Sequence, residues 1–190
     1  MRTKDFVIRK GKTFSHVLRW ESPMFVYRAI TAVPQTAPLR LMVPAHGCPN
    51  GWRVEIQSAK GMKELNEIKA QVTVVDADHV ELNTINAADF KPYSGGGFLV
   101  FRAPIDMTGM SARMAIKDKV GGTELLRLDT TNDGLTIDAA ECTITIHISA
   151  DEAAALMWKR GVYDLEIVDS LGVVHELLSG KVSVGPEVTT

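Results

Sequence analysis

The sequence predicts a mostly β fold: an antiparallel β-sandwich with one short helix, interrupted by an inserted small β-barrel domain. Three observations predict it. Short runs that alternate apolar and polar residues dominate the last third of the chain, as strands with one buried and one wet face require. Residues 104–190 supply most of a sandwich but lack its opening strands, and candidates for these, Phe6–Arg9 and Phe14–Trp20, lie far upstream. Between the two parts, residues 25–102 carry a β-pattern and turns of their own. One domain set into a loop of another accounts for this order better than two domains in tandem, because insertions succeed where a loop's ends lie close together. The expected domains are a discontinuous sandwich, 1–22 with 104–190, and an inserted barrel, 25–102.

In chain order, Ser22-Pro23 reads as the hinge into the inserted module. Within it, Ala29–Val33, Leu39–Val43, Arg53–Gln57, Gln71–Val75 and His79–Asn83 read as short strands. Pro34, Pro38, Pro44 and Pro49, with Gly47 and Gly51, break the region into tight pieces. Proline at that density belongs at strand ends and edges, which fits a small, strongly curved barrel. Gly95-Gly96-Gly97 reads as the hinge on the way out; it lacks the following helix and lysine of a phosphate cradle. In the last third, Ser111–Lys117 puts Ala112, Met114 and Ile116 on one face. Glu141–Ile148 sets Ile144, Ile146 and Ile148 against Thr143, Thr145 and His147. Tyr163–Asp169 sets Tyr163, Leu165 and Ile167 against Asp164 and Glu166. Asp133-Gly134 and Leu171-Gly172 mark turns between such runs.

One helix interrupts them. Ser149-Ala-Asp-Glu152 has the spacing of a capping box. Ala153, Leu156 and Met157 then share a face, Lys159 and Arg160 fall in the last turn, and Gly161 suits the position just past the helix end. A helix of about ten residues is marginal alone, so packing across one end of the sandwich must hold it.

The bulk properties exclude several classes. Of 190 residues, 45% are hydrophobic and 23% charged, with a net charge of −2. That balance provides no field to steer a polyanion, which argues against nucleic acid as a main partner. The only apolar run near the start, Phe6–Ile8, is too short for the core of a signal peptide, and no segment approaches the roughly 20 apolar residues of a membrane span. Two cysteines, Cys48 and Cys142, are too few for a disulfide framework. The expectation is folding in a reducing cytoplasm, without membrane insertion.

Two sets of residues resemble known families. Ile105-Asp-Met-Thr-Gly-Met-Ser-Ala-Arg-Met-Ala-Ile116, Asn132-Asp-Gly-Leu-Thr-Ile-Asp138, Gly161-Val-Tyr-Asp-Leu-Glu-Ile167 and Leu178-Ser-Gly-Lys-Val-Ser-Val-Gly-Pro-Glu-Val-Thr189 resemble the immunoglobulin-like domain of bacteriophage tail and baseplate proteins. The opening Phe6-Val-Ile-Arg-Lys-Gly-Lys-Thr-Phe14 is similar to that family's first strands. The middle resembles a small β-barrel module named, in ubiquitin-activating enzymes, the first catalytic cysteine half-domain, relatives of which occur in phage tail proteins. Ala45-His-Gly-Cys-Pro-Asn-Gly-Trp-Arg-Val-Glu-Ile56, Gly61-Met-Lys-Glu-Leu-Asn66, Val80-Glu-Leu82 and Tyr93-Ser-Gly-Gly96 carry that likeness. Cys48 and Trp52 stand where many such modules have Leu and Asp, and nothing resembles an adenylation or thioester site. The resemblance implies an immunoglobulin-like sandwich with an inserted barrel, in a structural virion protein of a tail tip or baseplate. It would connect a fibre or receptor-binding protein to the tail, as a symmetric trimer or ring, with no cofactor. Met1–Lys4 and Glu187–Thr190 are then candidate arms toward neighbouring subunits. The alternative is a host-surface glycan-binding module of the tail.

Each candidate for chemistry has a plainer competitor. His46-Gly-Cys48 pairs an imidazole with a thiol, but Gly47 and Pro49 argue for a turn, and a nucleophilic Cys needs an oriented base. Asp76-Ala-Asp-His79 offers metal-ligating groups yet lies between two β-runs, where Asp supplies turn geometry. Asp129-Thr-Thr-Asn-Asp-Gly134 fails as a calcium loop, because its twelfth position is Ala140 rather than Glu. No serine sits in a nucleophile elbow. No catalytic, cofactor or metal residues are therefore expected, and no enzyme. The three tryptophans read as core packing or subunit contacts, with a sugar-stacking platform as the competing reading; Trp52 and Trp20 are the candidate interface or glycan contacts, and Trp158 is expected to hold the helix.

Overall fold

The first strand hydrogen-bonds beside the last in the computed structural model of this chain, which describes residues 3–186. Its strands, in order, are β1 (Phe6–Arg9), β2 (Phe14–Arg19), β3 (Glu21–Ala29), β4 (Ala32–Thr36), β5 (Leu39–Met42), β6 (Arg53–Gln57), β7 (Lys69–Gln71), β8 (Thr73–Val74), β9 (His79–Leu82), β10 (Phe98–Pro104), β11 (Ser111–Lys117), β12 (Glu124–Asp129), β13 (Leu135–Asp138), β14 (Thr143–Ile148), β15 (Arg160–Val168) and β16 (Val174–Gly185). The single α-helix among the described residues, α1, spans Ala150–Ala155. Strands make up 52% of the protein and helices 5%, in several sheets of which one curls through half a barrel. The chain divides into two compact units, one from the described parts of 1–20 and 106–190, the other Glu21–Ile105.

The first unit has a five-stranded sheet, ordered β1-β16-β15-β11-β12, and a three-stranded sheet, β13-β14-β2. β1 runs parallel to β16, with Phe6 opposite Val182 and Ile8 opposite Val184. β2 pairs antiparallel with β14. The alternation seen in sequence sets the faces: Ala112, Met114, Ile116, Tyr163, Leu165 and Ile167 are buried from one sheet, and Ile144, Ile146 and Ile148 from the other. Phe6 joins the two, stacked 5.1 Å from Tyr163 and edge-on at 5.4 Å to Phe14 of β2. The Tyr163 hydroxyl donates to the Lys4 carbonyl at 2.7 Å. Burial, with the charges of Asp5 and Asp164, pushes that phenol well above its ordinary range.

The helix is shorter than its sequence suggests. The capping box forms, with the Glu152 amide donating to Ser149 Oγ at 3.3 Å and the Ser149 amide to Glu152 Oε2 at 2.8 Å. The chain leaves helical geometry at Leu156, however, and Met157, expected on the buried face, is 89% exposed. Gly161 lies within β15 rather than after a helix. A Cβ there would meet Ile116 Cγ2 at 2.8 Å and the Lys117 carbonyl oxygen at 2.9 Å, so close strand packing is what excludes a side chain.

The second unit has two four-stranded sheets, β3-β10-β6-β7 and β4-β5-β9-β8. Leu39, Leu41, Trp52, Ile56, Leu82 and Leu99 are at most 0% exposed and form its core. Pro34 sits in edge strand β4 where the pairing register with β5 shifts, the setting that tolerates a missing amide. Two expected hinges prove otherwise. Ser22-Pro23 lies inside β3. The Gly95–Gly97 segment is bonded in place: the Lys60 amide donates to the Gly95 carbonyl and the Ile30 amide to the Gly97 carbonyl, both at 3.0 Å. All three glycines have positive φ, and a Cβ on Gly97 would approach Ala59 Cα to 2.9 Å, so this is a close-packed crossing of chains. Of the expected arms, Met1, Arg2 and Glu187–Thr190 lie outside the described residues. Thr3 and Lys4 are no free arm; the Lys4 amide bonds the Ser179 carbonyl at 3.0 Å, beside a parallel bridge from Thr3.

Candidate interaction surface

β3 is the longest strand at a sheet edge among the described residues, nine residues paired on one side only, to β10. The bond from the Ile30 amide to the Gly97 carbonyl continues the β3–β10 ladder. Backbone groups alternate sides along a strand, so Val26 and Arg28 turn theirs toward β10, and Phe25, Tyr27 and Ala29 turn theirs outward; before Phe25 the register shifts, and the Met24 amide donates to Ser22 Oγ at 3.2 Å. Pro23 falls where the register between β3 and β10 shifts, a setting that tolerates a missing amide.

The side chains match this open edge. Met24 is 70% exposed, Phe25 54%, Tyr27 55% and Phe98 of β10 42%. Register places Phe25, Tyr27 and Phe98 on one face, since Tyr27 lies opposite Val100 and Phe98 opposite Ala29. Tyr27 and Phe98 meet edge to face with centroids 6.3 Å apart. The Arg102 guanidinium lies 4.8 Å from the Phe25 ring centre and donates to the Pro23 carbonyl at 3.2 Å. Proteins usually blunt such edges with charges or prolines. β12 follows this rule, with Arg127 3.6 Å from Glu124 and 3.4 Å from Asp129. From Met24 to Tyr27, β3 has no charged residue.

Of the tryptophans, Trp52 meets the core reading and not the glycan one. Trp52 is 0% exposed and its indole N–H donates to the Arg102 carbonyl at 2.8 Å, so its rings cannot stack on a sugar or a partner. Its neighbours on β6 alternate inward, and the largest side chain of the segment fills the unit's centre. Trp20 is half-buried, its ring 5.6 Å from that of His175. Trp158 is half-buried too, with no hydrogen-bond partner for its indole nitrogen among the described residues.

The candidate acids, bases and ligands are held in local structure. His46 is 3% exposed; its Nδ1 accepts from the Cys48 amide at 3.0 Å, so Nε2 carries the proton and donates to the Asp76 carbonyl at 2.9 Å. The Cys48 thiol points to the Pro49 carbonyl at 3.7 Å. The imidazole clasps two loops rather than activating the sulfur. Asp76 accepts from the Asp78 amide at 2.8 Å and faces His79 Nδ1 at 2.9 Å, contacts that hold its carboxyl below the usual value. Asp129 accepts from the Thr131 hydroxyl and amide at 2.6 and 2.8 Å, which likewise lowers it and builds a turn; it is not the hairpin the sequence suggests, because β12 and β13 lie in different sheets. Among the described residues no three His, Cys, Asp or Glu side chains are grouped to hold a metal. No helix there is long and apolar enough to cross a membrane, which leaves strand-built spans unaddressed.

A concavity of about 570 Å³ lies on the outer face of the five-stranded sheet, among Arg113, Lys117, Asp164, Glu166 and Lys181. Arg113 is paired to Glu166 at 2.7 Å. Charges of both signs line the recess, so it offers no field of one sign to a ligand.

The aromatic edge was missed in sequence because Glu21–Ala29 shows no alternation and Ser22-Pro23 resembles a turn. Its one readable signal is the uncharged run Met24-Phe-Val-Tyr27 between Pro23 and Arg28. No protein-family model matches the chain, and no curated protein matches it.

Proposed function

We propose that this chain is a structural virion protein of a phage tail tip or baseplate, connecting a fibre or receptor-binding protein to the tail through protein–protein contacts. On this reading the first unit is an immunoglobulin-like sandwich, the second is a small barrel set into it, and the partners are tail, baseplate or fibre proteins. The role comes from the resemblance of Ile105–Ile116, Gly161–Ile167 and Ala45–Ile56 to tail proteins. The observation that supports a binding role is β3: an open edge, uncharged from Met24 to Tyr27, with Phe25, Tyr27 and Phe98 exposed on one face, offers backbone bonds and apolar area together. A catalytic role has no comparable support, since His46, Asp76 and Asp129 serve turns and loops. The glycan alternative loses its main residue with the burial of Trp52.

The test is location. Particles assembled by the genome that encodes this chain are purified and labelled with an antibody against it. Label confined to the distal end of the tail is the expected result; a protein absent from washed particles sinks the reading.

A further inference from the structure

We propose that one end of the five-stranded sheet, where β1 and β11 finish and β15 begins, is a docking surface for an anionic lipid bilayer, which it lies against without crossing. This goes beyond the tail role above and does not rest on it.

Strand register gathers the charges. Arg9 ends β1 opposite Gly185, and the Lys10 amide bonds the Gly185 carbonyl at 3.1 Å. On the other side of β16, Arg160 opens β15 opposite Ser183, and the Val184 amide bonds the Lys159 carbonyl at 3.0 Å. Lys117 of β11 lies opposite Val162, so the turn that carries Lys119 projects from the same end. Lys12 lies in the link from β1 to β2. Seven of the chain's 21 Lys and Arg residues thus share one end. Four adjacent strands are only about 15 Å across, so neighbouring charges fall within about one Debye length of each other. None of the seven is ion-paired among the described residues. The acids at this end are Asp118, Glu124, Asp151 and Glu152. Glu124 is paired with Arg127 at 3.6 Å, Glu152 accepts from the Ser149 amide and hydroxyl at the helix cap, and Asp118 accepts from the Lys119 amide at 2.8 Å. With Arg127 counted, eight cations stand against four carboxylates. The net charge of −2 for the whole chain conceals this separation.

The kind of side chain selects the partner. Five of the seven cations are lysine, a residue depleted at protein–protein interfaces and typical of polybasic patches on anionic lipid. Nucleic-acid surfaces add arginine forks and exposed rings for stacking. Here the nearest rings, Phe14 and Trp158, are half-buried. What protrudes is aliphatic: Val120, in the β11–β12 turn, is 90% exposed, and Met157, two residues before Lys159, is 89% exposed. Lysines around two protruding apolar side chains match a membrane interface, where ammonium groups meet headgroups and apolar tips reach the acyl boundary.

Co-sedimentation of the purified full chain with vesicles tests this. Binding is expected to phosphatidylcholine vesicles containing about 30% phosphatidylglycerol, absent with phosphatidylcholine alone and lost as salt rises to about 0.5 M. Lys12→Glu combined with Lys159→Glu should weaken it by roughly tenfold or more. Both side chains are exposed, so the circular dichroism spectrum should not change. Lys63→Glu combined with Lys91→Glu makes the same change of charge in the second unit and should stay within about twofold of wild type. Met157→Ser should weaken binding by about threefold. A wild type that ignores anionic vesicles, equal losses in the two double variants, or indifference to Met157→Ser would each overturn the proposal. So would tighter binding to duplex DNA or polyglutamate than to the vesicles, which would assign this end to a nucleic acid or an acidic protein. None of these outcomes bears on where the protein sits in a particle, so the two readings fail separately.

Discussion

β3 and β15 are both nine residues long, yet they share little else. β15 is paired on both sides, to β11 and β16, and buries every second residue from Gly161 to Ile167. β3 is paired on one side, and no residue in it is fully buried. The lesson is that alternation records burial rather than extension. A strand held mostly by its backbone ladder, with solvent on both faces, is free of the constraint that writes a pattern into sequence.

The contrast can be broken by mutation. The largest effect is expected for Leu165→Ala in β15, where a fully buried side chain leaves a cavity: about 2–5 kcal/mol, measured by urea unfolding. Next is Tyr163→Phe, which leaves the Lys4 carbonyl without its donor and should cost about 0.5–1.5 kcal/mol in the same measurement. Acid probes the end of β15. Asp169 accepts from the Val173 and Leu171 amides at 2.9 Å and lies 3.1 Å from His175, contacts that lower its carboxyl. A depressed carboxyl adds stability that is present above the ordinary value of 3.8 and lost as pH falls through the lower folded value. Asp169→Asn should therefore lose stability at neutral pH, flatten the acid limb of the stability curve and converge with wild type at low pH, as thermal melts at stepped pH would show. The smallest effect belongs to β3: Tyr27→Ser in dilute protein should stay within about 0.5 kcal/mol of wild type. A cost like that of Leu165→Ala would erase the distinction between the two strands.

Legibility followed the same rule. Ala112, Met114, Ile116, Ile144, Ile146, Ile148, Tyr163, Leu165 and Ile167 were readable as inward positions because each strand has one wet face, and all are buried. Arg53–Gln57 was readable to the residue. The helix was overextended because Lys159, Arg160 and Gly161 imitate a helix end. There the need to bring β15 against Ile116 and Lys117, and not capping, selected the glycine. Trp52 was left between core and interface because composition cannot tell the two apart, a distinction set by which strands close over it; it lies in the core. The candidate surface itself was illegible, since an open edge is a property of sheet order.

The parallel seam of β1 and β16 has a mechanical consequence. Tension applied at the described ends, residues 3 and 186, pulls β1 backward and β16 forward along their shared axis. The ladder is then loaded in shear, all bonds at once, instead of being peeled open one rung at a time. Stretching the chain between its ends by atomic force microscopy should yield a higher rupture force than pulling across β13 and β14, whose antiparallel hairpin unzips rung by rung.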